Sequence, residues 1–457
     1  MLVVHSVPST CSSSSLDKAV SRSLLLRFWN VVAGLLTVAL VPFYLTPVEL
    51  GFYYSFSSLI ALQLFFELGL SQVLLFRFAA THQQASAHGG LHLDNLASFL
   101  YAARILYRIL ALLFLVFVLP AGLIFFGAIQ SQPVQWQLPW SLLVLATSIN
   151  LLQSVKLVFL EAVGDINHVA VARIRTGIVS SIVFLVVLLS GGGLWAASVY
   201  PCGTAILMTF WLYRHRNASA YVHARVSHSG INSKVLSLWM TDILPMQWRI
   251  SLSWLSGFFI FQIYNPIALS RFGPELAGKI GFTASIISAL AVIASTFTTA
   301  LAPTLATLFA AGKITEFNQV FDRSARRSIL SMILLLLSVP IAAYTLEASN
   351  LSFGNKILSF QDTLIYSLGA IFSGSVTVIS IYLRSQQKEP LMVVSVGTAI
   401  LMIPALIVGS IYSLTIMLWS SLVVIVFSFA WALTIFFSNR RRLQIEYAFR
   451  KLNLLPY

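Results

Sequence analysis

Residues 62–72 read "LQLFFELGLSQ", a run built to avoid water that nevertheless carries one glutamate, Glu67. Whether that acid is surface or interior depends on the solvent around the chain, and composition decides it. Of 457 residues, 58% are hydrophobic and only 9% charged, with a mean hydropathy of +0.87. Soluble domains carry roughly a quarter charged residues, so the chain belongs in a bilayer. Apolar runs of about 20 residues, long enough to span as helices, recur along it. Helices satisfy their own backbone hydrogen bonds in hydrocarbon. The ten-residue alternation of an outer-membrane barrel is absent.

The expected fold is an all-α polytopic membrane protein of about twelve transmembrane helices. They fall near 24–45, 52–76, 104–127, 138–162, 170–189, 194–213, 242–264, 279–301, 329–346, 362–383, 391–412 and 414–437. The charges support this count. With both termini cytoplasmic, the outer loops hold Arg271, Lys279 and Lys356, and Lys156 and Arg249 lie within helices. The other 23 of the 28 basic residues fall on the inner side, as the positive-inside rule requires. The net charge of +14 is therefore topology and contact with anionic membrane lipids, not a sign of nucleic acid.

The polar stretch "RHRNASAYVHARVSHSGINSK" (214–234) divides the helices into two sets of six. The expected organisation is a cytoplasmic polar lead (1–23), an N-terminal lobe (24–213), a cytoplasmic linker (214–235), a C-terminal lobe (236–437) and a basic tail (438–457). The first helix lacks a small-residue cleavage site, which argues against a removable signal peptide. "TPVELGFYYSFSSLIAL" (46–62) and "GPELAGKIGFTASIISAL" (273–290) align with Glu49 on Glu275 and Phe56 on Phe282. Six spans per half give both halves one orientation, so the two lobes form a parallel repeat.

Chemistry is sparse. Cys11 and Cys202 build neither a disulfide framework nor a metal site, and no cofactor is implied. No phosphate loop, HExxH or GxSxG motif occurs, and the short outer loops leave no room for a catalytic domain. The chain reads as a transporter rather than an enzyme.

Three helices carry polar stripes. At 100° per residue, Gln63, Glu67 and Ser71 share a face of the second helix, with Arg77 close to it. Thr147, Asn150, Gln153, Ser154 and Glu161 line one face of the fourth, with Lys156 on its shoulder. Asp242, Arg249, Ser253, Ser256 and Tyr264 share a face of the seventh. A charge at mid-membrane costs roughly 2.5–3.5 kcal/mol on insertion scales, so such residues face an interior. Arg249 and Lys156 are expected to attract an anionic cargo, within a cavity that also includes Glu67, Asn150, Gln153, Ser253 and Ser256. Lys156 could instead snorkel to the interface, and Glu67 could pair with Lys156 or Arg249. Glu67, Asp242, Glu161 and Arg77 are the candidates for gating or coupling, with a proton or sodium ion as coupling species.

Residues 41–80, "VPFYLTPVELGFYYSFSSLIALQLFFELGLSQVLLFRFAA", resemble the start of O-antigen type polysaccharide-repeat flippases. Those are members of the multidrug/oligosaccharidyl-lipid/polysaccharide exporter superfamily. The resemblance lies in Glu49–Tyr53, in Glu67–Leu68–Gly69–Leu70, where Glu67 replaces a commoner Asp, and in Arg77. It implies movement of an undecaprenyl-pyrophosphate-linked oligosaccharide from the inner to the outer leaflet of a bacterial plasma membrane. Cavity cations would hold the pyrophosphate, Glu67 would tune them or take up the coupling ion, and other polysaccharide-assembly membrane proteins would be partners. A multidrug/ion antiporter of the same superfamily is the nearer alternative; an oligosaccharide polymerase or ligase is more distant.

Overall fold

The computed structural model describes residues 29, 32–67, 69–88, 90–129, 134–214, 252, 255–349, 354–386 and 390–451. Among them there is no strand, and ten helices are long and apolar enough to cross a membrane. The protein is thus an all-α polytopic membrane protein. Its helices are α1 (Val32–Tyr44), α2 (Pro47–Ile60), α3 (Gln63–Glu67), α4 (Leu70–His88), α5 (Gly90–Gly127), α6 (Gln137–Ala162), α7 (Ile166–Leu189) and α8 (Ala196–Arg214). There follow α9 (Tyr264–Phe272), α10 (Pro274–Thr299), α11 (Ala302–Ala310), α12 (Ile314–Ala348), α13 (Phe360–Arg384), α14 (Met392–Tyr412) and α15 (Leu414–Lys451). Most of the expected seventh span, including Asp242, Arg249 and Ser253, lies outside the described residues.

Several boundaries differ from the hydropathy reading. The expected helix 52–76 is three pieces, α2 to α4. The last break is at Gly69, whose φ of +70° lies in the left-handed region that glycine adopts without Cβ strain. α5 starts at Gly90 rather than 104, α12 at Ile314 rather than 329, and α15 runs to Lys451 through the expected tail. Thirty-five residues of α12 span roughly 52 Å at 1.5 Å per residue, against a hydrocarbon core of about 30 Å. Apolar runs mark only the lipid-immersed part of such helices.

α2 begins at Pro47 because Thr46 caps it. The Thr46 hydroxyl accepts from the Glu49 amide, and the Glu49 carboxylate accepts from the Thr46 amide at 2.9 Å, a reciprocal capping box.

The chain divides into two compact units. The described residues of Met1–Tyr44, Leu62–Ala128 and Gln135–Ile250 form the first; those of Leu45–Ala61, Ile129–Val134 and Ser251–Tyr457 form the second. The sequence boundaries, 24–213 and 236–437, stay a proposal; α2, placed by them in the first lobe, packs with the second unit.

In the first unit α4, α5 and α6 share a core of Leu74, Phe78, Leu100, Tyr107 and Phe159. In the second, Phe317, Phe321, Tyr382 and Phe436 knit α12, α13 and α15 together. Arg440 closes that core with a two-pronged ion pair to Asp322 (2.7 and 2.6 Å). The two similar sequence segments meet directly. A Cβ on Gly51 of α2 would lie 2.0 Å from the Pro274 carbonyl oxygen, and one on Gly278 of α10 would lie 2.9 Å from that of Pro47. Glycines let these backbones touch, as small residues do in membrane helix pairs. Lys356 donates to the Leu45 carbonyl at 3.1 Å, and burial pushes its pKa below the usual lysine range. Outward faces carry large apolar side chains, such as Ile124 and Leu334, the surface that lipid covers.

Candidate functional site in the first unit

Glu67 ends α3, Gly69 turns the chain, and Ser71 lies in the first turn of α4, so Glu67 and Ser71, expected on one face, stay together across the break between the helices. The Ser71 hydroxyl donates to the Glu67 carboxylate. Tyr107, fully buried on α5, places its hydroxyl 3.3 Å from the same carboxylate oxygen and 2.9 Å from Ser71. Among the described residues the partners of Glu67 are thus two hydroxyls, and Lys156 is not one of them. The acid keeps its lone pairs satisfied without a cation.

Beside this cluster lies a cavity of ≈280 Å³ lined by Glu67, Ser71, Gln72, Ser154, Glu161 and Arg173, with Leu75 and Val158 as its apolar wall. Ser154 donates to the Asn150 carbonyl and so offers lone pairs to the cavity. Glu161 pairs with Arg173 of α7 at 2.9 Å. The α6–α7 turn that brings them together runs through Gly164 at φ +98°. Glu161 thus faces a cavity, half-buried, with a cation beside it. Arg77 is half-buried on α4 and does not line this cavity.

Asn150 and Gln153 use their amide donors on α8. Asn150 reaches the Pro201 carbonyl and Thr204 at 3.3 Å; Gln153 reaches the Ala205 carbonyl at 2.8 Å and Thr209 at 2.6 Å. Such side-chain bonds join membrane helices, and neither residue lines the cavity. In the second unit, Ser256 is buried and donates to the Leu252 carbonyl.

Lys156 is exposed on α6, within electrostatic range of Arg104 and Arg108 on α5. Placed by hydropathy at the inner end of the third helix, these arginines lie well inside α5, four residues apart and therefore on one face. Three like charges on packed helices repel one another, so their arrangement favours an anion beside them. Spacing gave the signal for the Arg104–Arg108 pair; the misplaced helix start hid it.

No protein-family model matches this chain, and no curated protein matches it. Solved structures do. An inward-facing multidrug resistance MATE family transporter of the MOP superfamily aligns with 93% of this chain and 99% of its own, at 17% identity and a TM-score of 0.59. The chain has the fold of the MOP superfamily transporters. The lipid II flippase MurJ, in an inward closed conformation, aligns over 95% of this chain and 94% of its own at 13% identity, with a TM-score of 0.55. The MATE multidrug transporter DinF-BH aligns over 95% and 98% at 12% identity, also at 0.55. The MOP fold therefore accommodates proteins described as drug transporters and one described as a lipid flippase, and identity this low leaves the choice to the side chains.

Proposed function

We propose that this chain is a transporter that moves an undecaprenyl-pyrophosphate-linked oligosaccharide repeat unit from the cytoplasmic to the outer leaflet of a bacterial plasma membrane by alternating access. The observation that carries the reading is the gathering of Arg104, Arg108 and Lys156 on neighbouring helices. Pyrophosphate is the part of such a cargo least able to enter hydrocarbon, and guanidinium and ammonium groups are its natural counter-charges. Arg249, predicted on the seventh span, would add a fourth cation. The MurJ likeness is consistent with this reading.

A second reading, a multidrug/ion antiporter, is favoured by the ≈280 Å³ cavity, which holds two carboxylates, Glu67 and Glu161, against one arginine. In the flippase reading that cavity serves coupling: Glu67 takes up the proton or sodium ion while the cations outside it hold cargo.

Binding separates the two. The purified chain in nanodiscs of neutral lipid is titrated with a fluorescent polyprenyl-pyrophosphate disaccharide and with a cationic dye. The flippase reading expects the pyrophosphate probe to bind, and Arg108→Gln with Lys156→Gln to weaken it at least tenfold, since each lost charge-assisted contact is worth about 1.5–3 kcal/mol. Saturable binding of the dye alone, lost in Glu67→Gln, would transfer the assignment to the antiporter.

A further inference from the structure

The second unit holds a polar face that the reading above does not use. On α13, Ser373, Thr377, Ser380 and Arg384 follow at intervals of four, three and four residues, and so lie along one side of the helix. That side borders two cavities of ≈240 and ≈200 Å³, which share Ile260, Phe261, Ser373, Thr377 and Ile425 and so form one cleft. From Ser373 to Arg384 it extends about 16 Å at 1.5 Å per residue. Ile260, Phe261, Leu422 and Ile425 make its apolar wall.

The polar wall is prepared for a ligand. Ser373, Thr377 and Ser380 donate to carbonyls of their own helix at 3.2, 3.2 and 2.7 Å, which leaves hydroxyl lone pairs turned to the cleft as acceptors. Across from them Ser428, only 7% exposed, shares a 2.7 Å hydrogen bond with the Thr398 hydroxyl, which itself donates to the Val394 carbonyl. Arg384 stands exposed at the end of α13 assigned to the cytoplasm. Lone pairs call for hydroxyl donors, the guanidinium suits an anion, and the apolar wall suits hydrocarbon.

We propose that this cleft binds an amphiphile whose head carries hydroxyl groups next to a phosphate, with the phosphate on Arg384 and the hydroxyls along Ser373, Thr377 and Ser380. As a station for cargo it rests on the flippase reading; as a lipid site it stands without it. A glycosyl phospholipid and a membrane lipid such as phosphatidylglycerol share this head chemistry.

Gly257 supplies the test, because it lines the cleft and a Cβ there would meet nothing within 4 Å. Gly257→Leu therefore starts into open space and is expected to fill the cleft. Full-length protein in phosphatidylcholine nanodiscs is titrated with a fluorescent farnesyl-phosphate glucose, in wild type, Gly257→Leu and Arg384→Gln, with the melting temperature of each recorded. The expected result is loss of binding in Gly257→Leu at unchanged melting temperature. Arg384→Gln should weaken this probe about tenfold, the loss of one charge-assisted contact, while leaving a phosphate-free alkyl glucoside unaffected. Competition by phosphatidylglycerol at equal potency assigns the cleft to membrane lipid, and its failure to compete assigns it to cargo. Undiminished binding in a well-folded Gly257→Leu overturns the proposal. Cargo flipping that continues in Gly257→Leu would overturn the cargo assignment and leave the flippase standing. Probe binding in a protein that flips nothing would overturn the flippase reading and leave the cleft as a lipid site.

Discussion

The contact of α2 with α10 allows a graded test of packing. In Gly51→Ala the new Cβ would fall 2.0 Å from the Pro274 carbonyl oxygen and 2.8 Å from its Cα. Both are backbone atoms, so no side chain can rotate away and the helices must part by about 1.4 Å to restore ordinary contact. Overpacking of this kind costs about 1–3 kcal/mol, against a gain of about 0.8–1.0 kcal/mol from replacing glycine by alanine within a helix. The net expectation is about 1–2 kcal/mol of destabilisation, taking the upper part of that range because backbone is involved. Gly278→Ala meets the Pro47 oxygen at 2.9 Å and the Gly51 nitrogen at 3.0 Å, a few tenths of an ångström too close, and should come out near neutral. Gly34→Ala has nothing within 4 Å and should gain the propensity term alone. Thermal unfolding of the three purified variants should therefore rank them Gly51→Ala below Gly278→Ala below Gly34→Ala. The shifts should be about 2 °C per kcal/mol or less for a chain of this length. A Gly51→Ala protein melting at or above Gly34→Ala would refute the close approach of these helices.

Further expectations concern the other joints. Gly69→Ala should destabilise by about 1–2 kcal/mol, the cost of a Cβ in the left-handed region, and Gly69→Asn by less; thermal unfolding reads both. Tyr107→Phe should cost about 1 kcal/mol by removing one hydroxyl from the Glu67 carboxylate, and restoring stability with Glu67→Gln in the same chain would show that the two act together. Asp322→Asn breaks the two-pronged contact with Arg440. Because the carboxylate side chain is 44% exposed, the loss should stay near 1 kcal/mol and shrink in high salt.

Much of the architecture was legible because a bilayer imposes it: a long apolar run has few other fates than a spanning helix. The helix ends were not, because hydropathy registers where lipid begins rather than where hydrogen bonding stops. That is why Arg104 and Arg108 looked like the inner end of a helix rather than its interior, and why the first half of α12 was missed. Glu67 and Ser71 could be set on one face from their spacing of four, and the glycine turn between α3 and α4 keeps them together. Tyr107, thirty-six residues beyond Ser71, could not, because only packing of α4 on α5 brings it there. The stripe of Asn150 and Gln153 was visible, but spacing does not say what a stripe faces, and here it faces α8. The α13 hydroxyls were overlooked because serine and threonine barely lower hydropathy within an apolar helix.

The most direct measurement is leaflet exchange in sealed vesicles reconstituted with the full chain, using a fluorescent polyprenyl-pyrophosphate oligosaccharide and a membrane-impermeant quencher. The account predicts exchange that requires the protein, collapses when Arg108 and Lys156 are both changed to Gln, and depends on a proton or sodium gradient through Glu67. Exchange of a cationic dye, with the lipid-linked sugar left in its original leaflet under every gradient tried, would contradict it.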